Sequence, residues 1–128
     1  MRKLFLIEDD PILVRMYEII FKLNNFSVDF ATKGEEALEK LKSMEEKPTI
    51  ILLDLLMPKM SGLEILKKIK EESALKDIPL IILTNLAVKE DIEKGLELGA
   101  ISSVMKSEHL PKELVKIVED TLEKLSKK

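Results

Sequence analysis

Four short stretches of this chain carry side chains that could do chemistry together. Glu8-Asp9-Asp10 follows the apolar run Leu4-Phe5-Leu6-Ile7, and Asp54 follows Ile50-Ile51-Leu52-Leu53. Thr84-Asn85 follows Pro79-Leu80-Ile81-Ile82-Leu83, and Lys106 follows Ile101 to Met105. Each has an ordinary explanation on its own: acids cap helices, Thr suits strands, and a Lys in a Lys-rich chain is usually a solvated tip. Asp10, directly before Pro11, reads as a helix N-cap rather than a ligand. As a set they suggest more. Asp54 at the rim of an apolar strand, near Glu8 and Asp9, would be held among like charges that repel and raise one another's pKa. A hard divalent cation such as Mg²⁺ takes oxygen ligands and keeps several waters, so a few carboxylates and one loop carbonyl would suit it. With that charge offset, one Asp54 oxygen could attack phosphorus. Phosphoryl transfer asks mainly for positioning and for stabilisation of the equatorial oxygens, which the metal, the Thr84 hydroxyl and the Lys106 ammonium could supply together.

The elements that must place these residues follow from hydrophobic period and punctuation. Leu4 to Ile7 reads as a strand, and Ile12, Met16, Ile20 and Leu23 recur at helical spacing up to Asn24-Asn25. Phe26, Val28 and Phe30 alternate as a second strand, and Thr32-Lys33-Gly34-Glu35 fits a capping box for a helix carrying Ala37, Leu38 and Leu41. Ile50 to Leu53 is continuous rather than alternating, as expected of a central strand covered on both faces. Pro58 and Gly62 bracket a loop before a helix with Ile65, Leu66 and Ile69 on one side. A fourth strand ends at Thr84, a charged helix runs from about Val88 to Gly99, Ile101 to Met105 is a fifth strand, and Pro111 opens a last helix. Five strand–helix units imply an α/β fold: a doubly wound, five-stranded parallel sheet with right-handed crossovers and helices on both faces. In such sheets ligands bind beyond the carboxyl ends of the strands, where the strand order reverses, and that is where all four stretches fall.

The stretches Leu4 to Asp10, Ile51-Leu52-Leu53-Asp54-Leu55-Leu56-Met57-Pro58-Lys59-Met60-Ser61-Gly62, Pro79 to Thr84, and Gly99-Ala100 through Lys106 together resemble a receiver domain of the response-regulator family of two-component signalling. The resemblance covers essentially the whole chain and implies a flavodoxin-like sheet of order 2-1-3-4-5. It implies that Asp54 is the phosphoacceptor, that Asp9, Asp54 and the Leu56 carbonyl ligate Mg²⁺ directly, and that Glu8 acts mainly through a bound water. It assigns Thr84 and Lys106 to the phosphoryl oxygens. The implied partners are a sensor histidine kinase or phosphotransfer protein as donor and a downstream target protein. The implied role is that of a phosphoacceptor, with no enzymatic turnover beyond slow self-dephosphorylation.

Three positions depart from the family's usual pattern. Asn85 stands where a small residue usually follows the Thr, Ser107 where Pro usually follows the Lys, and Ser103 where an aromatic commonly turns inward with the Thr. Asn85 could crowd or hydrogen-bond the phosphoryl site. A non-proline bond at 107 is expected to be trans, because cis costs about 3 kcal/mol there. With no aromatic at 103, the change on phosphorylation is expected in the loop from Thr84 to Ala87. These departures motivate the alternative of a receiver-fold interaction module that acts independently of phosphorylation.

Two other readings fail on particular residues. A haloacid-dehalogenase-like phosphohydrolase needs a second Asp two residues after the first, where Leu56 stands. A flavodoxin-like cofactor binder needs a Ser, Thr and Gly-rich loop where Glu8-Asp9-Asp10 would repel phosphate. His109, the one histidine, is expected in a solvent-exposed connector, Tyr17 in packing, and the methionines beyond Met1 as core filler. With 21 Lys+Arg against 24 Asp+Glu, the net charge of −3 is too balanced for the basic field that non-specific nucleic-acid binding uses, so no direct nucleic-acid contact is expected. No apolar run nears the ~18 residues a membrane span requires, and Leu4 to Ile7 is too short for a signal peptide. Absence of Cys removes any disulfide. The expectation is a stand-alone cytoplasmic receiver over residues 1–128 with no output domain, since only Ser126-Lys127-Lys128 follow the last helix.

Overall fold

The computed structural model describes residues 2–85 and 88–127, so part of the loop expected to respond to phosphorylation, Leu86 and Ala87, lies outside the described residues. In chain order the elements are β1 (Arg2–Ile7), α1 (Pro11–Leu23), β2 (Phe26–Ala31), α2 (Gly34–Ser43), β3 (Ile50–Leu53), α3 (Gly62–Glu71), β4 (Leu80–Thr84), α4 (Lys89–Glu97), β5 (Ser102–Met105), a short 3₁₀ turn (Lys106–Glu108) and α5 (Pro111–Ser126). All strand pairs are parallel, in the order β2-β1-β3-β4-β5. The expected α/β architecture is therefore the observed one, and its order reverses beside β1 and β3, whose carboxyl ends bear the acids.

Successive strand residues face opposite sides of the sheet and fill two cores. Phe5, Ile7, Ile51, Leu53 and Ile82 meet Leu41 of α2 and Ile65 and Ile69 of α3 on one side. Leu4, Leu6, Ile50, Leu52, Ile81 and Leu83 meet Val14, Tyr17 and Phe21 of α1 and Leu114 and Val118 of α5 on the other. All four residues of β3 are 0% exposed, and each buried aliphatic side chain contributes about 2 kcal/mol. Slippage of β3 would forfeit that burial, so the position of Asp54 directly after it is fixed.

Helix ends follow local chemistry. The Asp10 side chain accepts from the Ile12 and Leu13 amides, with Pro11 at the first position, as expected. Helix α4 closes on Gly99 at φ +122°, with the Gly99 and Ala100 amides donating to the Leu96 and Gly95 carbonyls, an arrangement that favours glycine. The capping box expected at Thr32 is not formed. The N-cap is Lys33, with no side-chain cap, and Glu36 reaches back to the Thr32 amide at 2.9 Å, so half of the motif survives one residue further along.

The buried stripe of α1 also differs from expectation. Ile12 and Leu23 are 77% and 74% exposed and Met16 is 37% exposed, so Met16 is not core filler; Val14, Tyr17 and Phe21 are the buried residues. Tyr17 does serve packing. His109 is half-buried rather than exposed. No cis peptide occurs among the described residues, position 107 included. Among the described residues, no helix is long and apolar enough to cross a membrane.

Candidate phosphoacceptor and metal site

The carboxyl ends of β1, β3, β4 and β5 open onto one cleft of about 510 Å³, lined by Glu8, Asp9, Asp10, Leu13, Asp54, Leu56, Met57, Pro58, Thr84, Asn85 and Lys106. Every residue expected at the site lines it. The parallel register brings them together: Ile7 pairs with Leu53, Leu53 with Ile82, and Thr84 with Met105, so the residues just beyond each strand share one edge.

Backbone bonds hold Asp54. Its amide donates to the Ile7 carbonyl at 3.0 Å, and its Oδ1 accepts from the Leu56 amide at 3.0 Å. Gly62 braces the loop from behind, donating its amide to the Leu55 carbonyl at 2.9 Å; a Cβ there would lie 2.3 Å from Leu55 Cα and 2.5 Å from the Asp54 carbonyl oxygen. Only a residue without a side chain allows α3 to start that close to Asp54. Leu56 presents its side chain outward, 65% exposed, while its backbone lines the cleft.

Lys106 is the principal counter-charge. Its Nζ donates to Asp54 Oδ2 at 2.9 Å and to Glu8 Oε1, while Glu8 Oε2 accepts from the Asp10 amide at 3.2 Å. Glu8 and Asp54 are 1% and 5% exposed, so this is a buried ion triad. Burial pushes the Glu8 carboxyl above the usual range; the Lys106 hydrogen bond opposes that and the Asp54 charge adds to it. Burial works against the Lys106 ammonium, but the hydrogen bonds to Asp54 and Glu8 outweigh it and hold its pKa above the ordinary value. Tyr17, buried under the site, is raised by burial.

One ammonium does not neutralise three acids. Glu8, Asp9 and Asp54 each offer a carboxylate oxygen, and these oxygens all lie within 4.8 Å of one another. Asp9 is exposed and has no ion-pair partner among the described residues. Hard oxygen donors, a residual negative charge and an open side suit a cation such as Mg²⁺ that keeps part of its water shell. The donor set thus fits the expected metal.

Sequence reasoning did not foresee two features here. Lys106, expected only at phosphoryl oxygens, already bridges Glu8 and Asp54. Asn85 lines the cleft and accepts a hydrogen bond from the Ser107 amide at 2.8 Å. Thr84 is buried at the cleft wall.

The sheet of this order thus carries an acid cluster, a lysine and a threonine on its carboxyl edge at the switch point. A match to the response regulator receiver domain spans residues 4–119. The chain is 42% identical over 102 residues to the transcriptional regulatory protein CpxR homolog of Haemophilus influenzae, covering 78% of this chain and 41% of that one. It superposes on the CheY-like receiver domain protein from Methanospirillum hungatei with TM-score 0.89 at 24% identity, covering 99% and 98% of the two chains. It superposes on the Mn²⁺-bound form of response regulator Rcp1 with TM-score 0.80 at 29% identity, covering 94% and 91%. The chain belongs to the response regulator receiver domain family of two-component systems. It spans about half the length of the curated relatives it matches.

Proposed function

We propose that this receiver accepts a phosphoryl group on Asp54 from a histidine kinase or phosphotransfer protein and in that state changes its affinity for a target protein. The observation that supports this best is the position of Asp54. It is the buried acid at the end of the central strand, held by two backbone bonds and within 2.9 Å of a lysine that can follow developing charge. Asp54 Oδ1 is engaged by the Leu56 amide and Oδ2 by Lys106. In the step itself an Asp54 oxygen forms the new bond to phosphorus as the donor's phosphorus–nitrogen bond breaks, and the donor imidazole leaves with its electron pair and takes up a proton. Lys106 then moves its hydrogen bond to a phosphoryl oxygen, and the Thr84 hydroxyl donates to another. Glu8, Asp9, Asp54 and the Leu56 carbonyl would hold Mg²⁺, which when bound offsets the charge of the acids and of the phosphoryl oxygens. The Mn²⁺ form of a related response regulator supports a divalent ion here.

The donor must reach Asp54 past Leu13 at the rim of the cleft. From there Ile12, Met16 and Ile19 continue along α1 as an exposed apolar strip suited to a phosphohistidine-bearing donor. The chain acts as a phosphoacceptor, losing the group slowly to water, rather than as an enzyme in its own right. Incubation with Mg²⁺ and a small-molecule phosphodonor, followed by intact mass, should show one added phosphoryl group that Asp54→Asn abolishes. Undiminished labelling of that variant would refute the assignment, and no labelling of the wild type would favour signalling independent of phosphorylation.

A further inference from the structure

Two of the three departures from the family's usual residues touch each other. Asn85 Oδ1 accepts from the Ser107 amide at 2.8 Å. Proline has no amide hydrogen, so this bond exists only because position 107 is not proline. The bond lies just beyond the last paired residues of β4 and β5, Thr84 and Met105, and acts as a side-chain rung added to the ladder. Its two ends adjoin the two groups assigned to the phosphoryl oxygens: Asn85 follows Thr84 and Ser107 follows Lys106.

We propose that Asn85 is a positioning residue that clasps the turn bearing Lys106 to the loop after Thr84, so that the two phosphoryl-facing groups are held, and move, as one unit. This rests on the phosphoacceptor reading above. It makes Asn85 and Ser107 a matched pair instead of two independent losses. A small residue at 85 would leave the Ser107 amide without this acceptor, and a proline at position 107 would leave the Asn85 carbonyl without this donor. The bond uses the backbone of Ser107, so the serine hydroxyl is dispensable to it.

The test compares wild type with Asn85→Ala, Ser107→Pro, their double variant and Ser107→Ala, using phosphoramidate and Mg²⁺. The initial rate of phosphorylation is read by intact mass, and exchange of the Ser107 amide by NMR where that amide remains. Losing one hydrogen bond weakens the held geometry by about fivefold. Asn85→Ala and Ser107→Pro should therefore each slow phosphorylation by about that factor, and the double variant should be no slower than either. Ser107→Ala, which keeps the amide, should retain the wild-type rate. Asn85→Ala should also speed Ser107 amide exchange by about fivefold. The proposal is overturned if Asn85→Ala reacts at the wild-type rate, if the two effects multiply in the double variant, or if Ser107 exchange is unchanged. If the wild type takes up no phosphoryl group the functional reading fails, and Ser107 exchange alone then decides whether the clasp exists.

Discussion

Replacing Asp9 by Asn should make the metal-free protein more stable, against the usual effect of a substitution at a site. The carboxylate oxygens of Glu8, Asp9 and Asp54 lie within 4.8 Å of one another. At that distance two unit charges repel by about 0.9 kcal/mol in bulk water and by about 3.5 kcal/mol at an effective dielectric of 20. Asp9 is exposed, which places it near the lower figure, and it faces two such neighbours while Lys106 engages the other two acids. The Lys106 ammonium beside those two acids offsets about one of the two repulsions, so relief of about 1 kcal/mol follows. Unfolding entropy of roughly 2.1 cal/mol/K per residue converts this to a rise in Tm of about 4 °C for a domain of this size. Differential scanning calorimetry in chelator at low ionic strength should show the rise, and added salt should shrink it. In the wild type, Mg²⁺ should raise Tm by about 5 °C for each decade of concentration above its dissociation constant, a response that Asp9→Asn should largely lose. If the metal-free variant melts no higher than wild type, the repulsion argument is wrong; if its Mg²⁺ response is intact, the ligand set is wrong.

Gly62→Ala places a methyl group against Leu55 Cα and the Asp54 carbonyl, and should cost about 2 kcal/mol by overpacking; an unchanged urea midpoint would show that the loop yields freely. Because burial raises the folded-state pKa of Glu8 above its ordinary 4.5, its contribution to metal-free stability is full below about pH 4.5 and is lost as pH rises through the raised value. Glu8→Gln should therefore gain on wild type as pH climbs out of that range, and a pH-independent difference in chemical denaturation would contradict this. On adding a beryllofluoride mimic of the phosphoryl group, amide shifts should change most at Thr84, Asn85 and Ser107. Changes as large across Ser102 to Met105 would show that β5 itself carries the switch.

The site was legible because its logic is topological. Alternating strands and helices compel a parallel sheet, and every residue just beyond a strand end then shares one edge, so Glu8, Asp54, Thr84 and Lys106 could be brought together without any knowledge of side-chain geometry. What escaped depends on choices that periodicity leaves open. Helix α1 is apolar on nearly every side, so Ile12-Met16-Ile20-Leu23 and Val14-Tyr17-Phe21 are both acceptable helical stripes; only the approach of the sheet chooses the second. The α2 cap lies one residue later than the motif suggests, at Lys33, and it is Glu36 that accepts from the Thr32 amide. The Asn85 to Ser107 bond joins residues 22 apart, and each departure read alone suggested a weakened site.

Lys106 ties these observations into one account of signalling. Its ammonium bridges two buried carboxylates, and removing the lysine would leave both uncompensated at a cost of about 3–5 kcal/mol. The ground state is therefore held by the same contact that phosphorylation must rearrange. On the phosphoacceptor reading proposed above, the phosphorylated side chain would carry about −1.5 to −2 charges in place of the single carboxylate charge, giving the ammonium a stronger partner than the carboxylate it leaves, while Glu8 stays within reach at the other side. On the same reading the Lys106 turn would shift with its partner, and the proposed Asn85 clasp would carry the shift to Asn85 at the end of β4. Ser103 is exposed on the strand between them and lacks the bulk to enter any space vacated by Thr84. An equilibrium can be moved only by contacts that differ between its states. On the proposed reading those contacts gather at the two clasped turns, so the surface offered to a target protein should change where β4 and β5 end and not along the length of β5.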